Sequence, residues 1–174
     1  MPRNVEIKAR VADAAGLDLR AAQLADRGPI EILQDDTFFN CAHGRLKLRA
    51  LAADAGELIF YQRPDEPGPK QSFYIIAATH APDAMRDALT LAYGQCGRVR
   101  KRRRVYLAGR TRIHLDEVEA LGHFIELEVV LEEREPTAAG IEIAHALLRS
   151  LDIDPRQLIE GAYVDLLARS HDHA

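Results

Sequence analysis

The sequence is poor in the features that mark secreted and membrane proteins. It has only two cysteines, Cys41 and Cys96, which suit a reducing compartment and are too few to build a zinc site from thiolates. Residues 1–6 contain no apolar core of the kind that a signal peptide needs. No apolar run approaches the roughly 18 residues of a membrane span. We therefore expect a cytoplasmic protein that does not act at a membrane.

The sequence also lacks repeats, low-complexity segments and any change of composition that would mark a domain boundary. With 174 residues, 47% of them hydrophobic, the chain is long enough to bury a core. The Pro/Gly-rich stretch at 64–69 is too short to link two domains. We predict a single domain over residues 1–170 and a polar tail at 171–174.

The net charge of −4 is the difference between 23 basic and 27 acidic residues, so the order of the charges is more informative than their sum. Four predicted strands place charged residues on one face and Ile, Leu, Val or Ala on the other. They are residues 5–11, 45–49, 112–116 and 125–129. The charges are sorted by sign, because 45–49 offers only cations and 125–129 only carboxylates.

The remaining segments complete a pattern of strands and covering helices. Further strands are predicted at 31–40, 57–63, 71–77 and 97–107, and helices at 14–27, 81–93, 138–151 and 156–168. Short turns join most strands, which favours antiparallel pairing. The helices need apolar surface to cover, so the apolar faces should lie outside a barrel and the charged faces inside. Unpaired buried charge is too unfavourable for a dry core, and we predict a wet tunnel that holds a highly charged ligand.

The opposed charges suggest the chemistry of that ligand. Glu126 and Glu128 share one face of their strand, where they are either solvated or hold a divalent cation between them. Lys and Arg bind phosphate oxygens, and carboxylates hold Mg²⁺ or Mn²⁺ that neutralises the same oxygens. Together the strands indicate a site for a metal and a polyphosphate. A nucleic-acid surface is not expected, because the cations are confined to strand faces opposite carboxylates and the net charge is negative.

These motifs resemble the CYTH superfamily of class IV adenylyl cyclases and thiamine triphosphatases, also called triphosphate tunnel metalloenzymes. Residues 4–8 are similar to the Glu-x-Glu-x-Lys signature of its first strand. The later motifs match at Arg45–Arg49, Lys101–Arg103, Asp116 and Glu126–Glu128. The resemblance spans about residues 4–165. It implies an α+β fold, a closed eight-stranded antiparallel β-barrel with helices packed on the outside.

The resemblance also implies roles for individual residues. The implied metal ligands, for Mg²⁺ or Mn²⁺, are Glu6, Asp116, Glu126 and Glu128. The implied triphosphate-binding cations are Lys8, Arg45, Lys47, Arg49, Arg63, Lys101 and Arg103. The implied catalytic set is Glu6, Lys8, Asp116, Glu126 and Glu128. In the stretch 98–104, six cations in seven positions hide which parity faces inward, and the resemblance alone assigns Lys101 and Arg103 to the interior.

Two positions leave alternatives open. Asn4 stands where the family has its first Glu, and the loss of a carboxylate weakens a divalent-metal site. His114 lies between Arg112 and Asp116, either as a hydrogen-bonded wall residue or as a group that orients a phosphate or a metal-bound water.

The expected ligand is a small-molecule triphosphate such as ATP, tripolyphosphate or thiamine triphosphate. Of the implied functions, a class IV adenylyl cyclase-like reaction that forms cyclic AMP and pyrophosphate ranks first. An inorganic or thiamine triphosphatase is the alternative, and a non-catalytic module that binds nucleotide or polyphosphate is a third, which Asn4 motivates. A homodimer is compatible with the sequence.

Overall fold

The computed structural model describes residues 3–64 and 68–171. Within these ranges the strands are β1 (Arg3–Arg10), β2 (Arg27–Phe39), β3 (Arg45–Ala52), β4 (Ala55–Gln62), β5 (Lys70–Thr79), β6 (Gln95–Ala108), β7 (Thr111–Val118) and β8 (Gly122–Val130). The helices are α1 (Ala14–Leu24), α2 (Pro82–Tyr93), α3 (Thr137–Ser150) and α4 (Tyr163–His171), with a 3-10 turn at Pro155–Gln157. The predictions for the loop at 64–69 and for the tail fall partly on residues 65–67 and 172–174, which lie outside the described ranges.

The strands close into one antiparallel barrel in the order β1-β5-β4-β3-β2-β6-β7-β8. Closure occurs where β1 pairs with β8, in a register that sets Glu6 opposite Glu128 and Lys8 opposite Glu126. β2 and β6 form a long ladder that runs from Arg27 to Phe39. The predicted α+β fold, a closed eight-stranded antiparallel barrel with helices outside, is confirmed.

The apolar faces of the strands point outward, under the helices. Val5, Ile7 and Ala9 of β1 are fully buried in a core that Leu17 of α1 and residues of α3 complete. Removing each large side chain of this kind from water contributes about 1.5–3 kcal/mol. Gly140 lets α3 approach closely, because a Cβ there would lie 2.8 Å from a methyl group of Val5. The core therefore lies between barrel and helices, and the barrel interior is left to the charged faces.

The first helix is shorter than predicted. Asp13 caps α1, with its carboxylate accepting a hydrogen bond of 2.9 Å from the backbone N–H of Gly16. The prediction that this helix continues to residue 27 is wrong, since α1 ends at Leu24. The backbone N–H of Asp26 donates to Leu107 of β6, and Arg27 already pairs with the same strand. Pairing with the long β6 overrides the local helix propensity.

The predicted final helix at 156–168 is also wrong as one element. After the 3-10 turn the chain is extended, and the backbone N–H of Ile159 donates to the carbonyl of Lys8 at 3.0 Å. Gly161 then adopts a positive φ of 75°, which glycine tolerates because it has no Cβ. α4 starts two residues later, at one end of the barrel. Across the described ranges, no helix combines the length and the apolar character that crossing a bilayer requires.

Candidate active site in the barrel interior

The barrel encloses a cavity of about 420 Å³. Among the described residues, seven basic and five acidic side chains line this cavity. The basic ones are Lys8, Lys47, Arg49, Arg63, Lys101, Arg103 and Arg112, and the acidic ones are Glu6, Asp36, Glu57, Glu126 and Glu128. Counted by formal charge, the basic side chains exceed the acidic ones by two, which favours an anionic ligand.

One end of the cavity is closed by the start of α4. Ala162 and Tyr163 line the cavity there, and the Tyr163 ring packs against Phe124 with 4.9 Å between ring centroids. The ammonium of Lys8 lies 4.0 Å from the centroid of the same ring, a cation–π contact. At the opposite end, the lining residues Leu51 and Ile76 are exposed to solvent. A ligand can therefore enter at the end away from α4.

The basic strand β6 presents alternate residues to the two sides of the barrel wall. Lys101 and Arg103 are buried and line the cavity. Arg98, Arg100 and Arg102 point outward, where carboxylates pair with them: Asp35 with the first two and Glu117 with the third. Lys101 and Arg103 therefore face the barrel interior, as the resemblance implied.

Lys47 and Arg49 of β3 converge on Asp36, a carboxylate that is not among the predicted site residues. Asp36 of β2 is 1% exposed and accepts hydrogen bonds from Lys47 Nζ at 2.7 Å and from Arg49 Nε at 2.8 Å. Burial alone would raise the pKa of Asp36, but Lys47 and Arg49 outweigh it and hold that pKa well below its usual range. Gln34 and Asp36 lie on one face of β2, but Asp35 and Thr37 place polar residues on the other face as well, so the sequence does not show which face is inside.

Burial also weakens the charge of two lysines in this wall. Burial and the neighbouring Arg49 lower the pKa of Lys47 to about 8. Burial and the neighbouring Arg103 lower the pKa of Lys101 to about 7. A polyanion placed against these lysines would favour their protonated forms.

The carboxylates of β1 and β8 form the opposite wall. Glu126 Oε2 lies 3.1 Å from Lys8 Nζ, and Glu128 Oε2 accepts a hydrogen bond of 2.7 Å from Arg112 Nε. Burial would raise the pKa of Glu126, but Lys8 and Arg103 outweigh it and keep it well below the usual range. Burial and the nearby Glu126 raise the pKa of Glu128. The two glutamates that alternate along β8 therefore share one buried site but differ in proton affinity.

Two further acidic residues of the implied sets, Glu6 and Asp116, are also engaged with other side chains. Glu6 accepts a hydrogen bond from Arg63. Asp116 lies beneath the cavity wall and accepts two hydrogen bonds from Arg103, at 2.6 and 2.7 Å, and a third from the hydroxyl of Tyr163 at 2.8 Å.

Arg45 lies beside the closed end and is outside the cavity lining. There it forms two hydrogen bonds, of 2.9 and 2.8 Å, with Asp165 of α4. The implied roles of Glu6, Asp116 and Arg45 in metal or triphosphate binding stay predictions.

Several buried polar atoms that face the cavity have no hydrogen-bond partner among the described residues. They are Asn4 Oδ1, Gln34 Oε1, Arg63 Nε, Ser72 Oγ and His114 Nδ1. An unpaired buried polar atom is unfavourable by about 1–3 kcal/mol, so such atoms are typical of a site that water or a ligand fills. His114, Glu126 and Glu128 could hold a metal ion, since one ligand atom of each lies within 4.8 Å of the others.

The comparisons with known proteins agree with this geometry. A model of the CYTH domain matches residues 2–163. The chain belongs to the CYTH family. No curated protein sequence matches it.

Solved structures similar to this CYTH domain share its fold at low sequence identity. The PH1012 protein of Pyrococcus horikoshii OT3 is 20% identical with a TM-score of 0.82, over 94% of this chain and 98% of that one. A proposed adenylate cyclase from Vibrio parahaemolyticus is 19% identical with a TM-score of 0.74, over 95% and 97%. HpAC1 from Hippeastrum, a proposed adenylyl cyclase with a dominant triphosphatase activity, is 17% identical with a TM-score of 0.63, over 91% of each chain.

This CYTH domain departs from the expected signature at its first position. Asn4 is buried, lines the cavity beside Glu6, and contributes an amide where a carboxylate was expected. The acidic wall therefore carries one charge fewer than the motif specifies.

Proposed function

We propose that this CYTH domain is an enzyme that binds a small-molecule triphosphate together with Mg²⁺ or Mn²⁺ inside the barrel and cleaves it. The observation that carries the proposal is the cavity of about 420 Å³, which cations of β3 and β6 and carboxylates of β1 and β8 line together. This volume is in the range of ligand pockets, about 300–1,000 Å³.

The basic wall has the chemistry to bind phosphate oxygens. Lys47, Arg49, Lys101 and Arg103 line the cavity on adjacent parts of the barrel, since β3, β2 and β6 are neighbouring strands. Their ammonium and guanidinium groups would neutralise the negative charge that builds on the phosphate oxygens as the bond to the leaving group breaks. Because these charged groups are in place before the reaction, the protein needs little reorganisation to stabilise the transition state.

The donor set of the opposite wall fits a divalent cation. Glu126 and Glu128 offer carboxylate oxygens, and His114 offers an unpaired ring nitrogen within the same 4.8 Å. A cation bound there would act as a Lewis acid on the phosphate oxygens. Glu6 would reach the same ion only by leaving Arg63, and Asp116 would act through Arg103 as a positioning residue.

We rank an adenylyl cyclase-like reaction first among the specific activities. In this reaction the ribose 3′-oxygen of ATP attacks the α-phosphate, its proton is lost, and pyrophosphate leaves. The apolar residues at the open end, Ile32, Leu51 and Ile76, give a base and ribose a place outside the charged wall. The alternative is hydrolysis of tripolyphosphate or thiamine triphosphate, which the dominant triphosphatase activity of the Hippeastrum neighbour favours.

Product analysis separates these activities. The purified protein is incubated with Mg²⁺ or Mn²⁺ and ATP, tripolyphosphate or thiamine triphosphate. Cyclic AMP with pyrophosphate supports the cyclase, and inorganic phosphate supports the hydrolase. Binding without any product would contradict enzymatic function and support a binding module.

The Glu126→Gln/Glu128→Gln double variant tests the acidic wall. We expect it to lose product formation by at least about 100-fold, because two carboxylates that face the reacting phosphates lose their charge. Glu117→Gln/Glu119→Gln, on the exposed side of β7 and the turn after it, removes the same charge outside the cavity and should retain activity. Equal activity of both double variants would contradict the assignment of the wall.

A further inference from the structure

His114 is buried inside the barrel with one ring nitrogen that has no hydrogen-bond partner among the described residues. It lies on β7 directly opposite Glu126 of β8, and only 5% of its side chain is exposed. That ring nitrogen is Nδ1. The nearest carboxylate oxygens are Glu128 Oε1 at 3.8 Å and Glu126 Oε1 at 3.9 Å, which is beyond hydrogen-bond length.

The two glutamates leave one oxygen each directed to this nitrogen. Glu126 uses Oε2 toward Lys8, and Glu128 uses Oε2 to accept from Arg112. The hydrogen bonds described in the structure leave both Oε1 atoms without a donor, and these are the atoms that lie nearest to His114 Nδ1. One nitrogen and two carboxylate oxygens thus converge without bonding one another.

The spacing of these atoms fits a shared ion. A metal bound at about 2.0–2.2 Å from each of two ligand atoms holds those atoms about 3–4 Å apart. The two distances from Nδ1, 3.8 and 3.9 Å, lie in that range. Both carboxylates face Lys8 or Arg112 through their second oxygens, so a bound cation would share their negative charge with these two side chains.

We propose that His114 Nδ1 is a ligand, with Glu126 Oε1 and Glu128 Oε1, of a divalent-metal site that selects a first-row transition ion such as Mn²⁺ over Mg²⁺. The inference deepens the proposed function and rests on it for the biological role of the metal. Mg²⁺ is a hard cation that takes oxygen ligands and keeps its waters, whereas imidazole is a good donor for transition ions. A nitrogen ligand therefore favours Mn²⁺ over Mg²⁺ in a wall that lacks the carboxylate expected at Asn4.

Metal binding without any triphosphate tests the site. The probe is Mn²⁺, titrated into the protein while its free electron paramagnetic resonance signal is followed, and then displaced with Mg²⁺. We expect Mn²⁺ to bind at least about 10-fold more tightly than Mg²⁺. A pulsed resonance spectrum of bound Mn²⁺ should carry the hyperfine coupling of a directly bound ¹⁴N nucleus. This readout needs no variant, and its absence from bound Mn²⁺ would overturn the proposal.

Two histidine variants sharpen the test. His114→Ala should remove the nitrogen coupling and weaken Mn²⁺ binding by about 10-fold or more, while Mg²⁺ binding changes little. His123→Ala, at an exposed histidine of β8, is the matched control and should match the unchanged protein. Unchanged Mn²⁺ affinity and preference in folded His114→Ala would contradict the proposal.

Tripolyphosphate binding measured without metal separates the two proposals. If tripolyphosphate binds but bound Mn²⁺ shows no nitrogen coupling, the histidine ligand is wrong and the triphosphate tunnel stands. If Mn²⁺ shows the coupling but tripolyphosphate does not bind, the metal site stands and the proposed function is wrong.

Discussion

Lys47 connects the charge of a single side chain to ligand binding. Its ammonium is buried against Asp36 and Arg49, and burial together with Arg49 lowers its pKa to about 8. In the free protein, Lys47 therefore loses its proton as the pH rises through about 8, whereas an unburied lysine keeps it to about 10.4. A bound polyanion stabilises the protonated form of Lys47. Above this pH, binding is therefore accompanied by the uptake of a proton from solvent.

We expect the affinity for tripolyphosphate to fall by roughly 10-fold between pH 7.5 and 9.5 through Lys47, because each pKa unit corresponds to about 1.4 kcal/mol. In Lys47→Arg the charge persists across this range. The affinities of both proteins are measured by calorimetry at the two pH values. At each pH the affinity of one protein is divided by that of the other, which cancels the ionisation of the ligand itself. The same pH slope in both proteins would show that Lys47 does not titrate on binding.

Asp36 and Asp35 are adjacent in sequence but lie on opposite sides of the barrel wall. Asp36→Asn leaves Lys47 and Arg49 without their buried partner and should lower the free energy of unfolding by about 3–5 kcal/mol. Asp35→Asn removes partners of the exposed Arg98 and Arg100 and should lower it by about 1 kcal/mol or less. Thermal unfolding measures both, and saturating tripolyphosphate should restore more stability to Asp36→Asn than to Asp35→Asn. Equal losses of stability would contradict an inward Asp36.

At the scale of secondary-structure elements, α4 determines which end of the barrel is closed. It packs on β6, where Gly97 leaves room for Val164, since a Cβ at Gly97 would lie 2.2 Å from Val164 Cγ2. Two residues of this helix form hydrogen bonds with the barrel: Tyr163 donates to Asp116, and Asp165 accepts from Arg45. Closure of this end therefore depends on a close approach between one strand and one helix.

Gly97→Ala should displace α4 and destabilise the protein by about 1–3 kcal/mol, because an added methyl group in a tight contact forces the backbone to move. Val164→Ala removes the clashing methyl group, and the double variant should be more stable than the sum of the single effects predicts. Thermal unfolding of the four proteins gives the coupling energy. Strict additivity would mean that α4 does not pack on Gly97.

The elements also show what the sequence could and could not predict. Alternation located the strands and the outward apolar faces, because a half-buried strand must repeat with a period of two. It could not determine which residues of β6 face the interior, because cations occupy both faces of this strand. Only the closure of the barrel distinguishes the inward Lys101 from the outward Arg102. It missed the break in the last helix. Gly161 is a local signal for that break, but the pairing of Leu158 with Ala9 depends on a tertiary contact that the sequence does not show.

For the whole molecule, the net charge of −4 conceals a cavity with an excess of positive charge. The sequence could predict this sorting by sign, because it follows from which strand carries which charge. It could not predict the partners of each charge. Asp36 holds Lys47 and Arg49, and Asp116 holds Arg103, only because distant strands become neighbours in the closed barrel.

Adjacent residues of β6 test whether a triphosphate binds to the inward-facing cations. Tripolyphosphate binding is measured by calorimetry for Lys101→Met, which faces the cavity, and for Arg100→Met, which faces outward. We predict that Lys101→Met weakens binding by at least about 10-fold, the value of one charged hydrogen bond, and that Arg100→Met changes it by less than about 2-fold. Equal effects of the two substitutions, or a larger effect of Arg100→Met, would contradict binding inside the barrel.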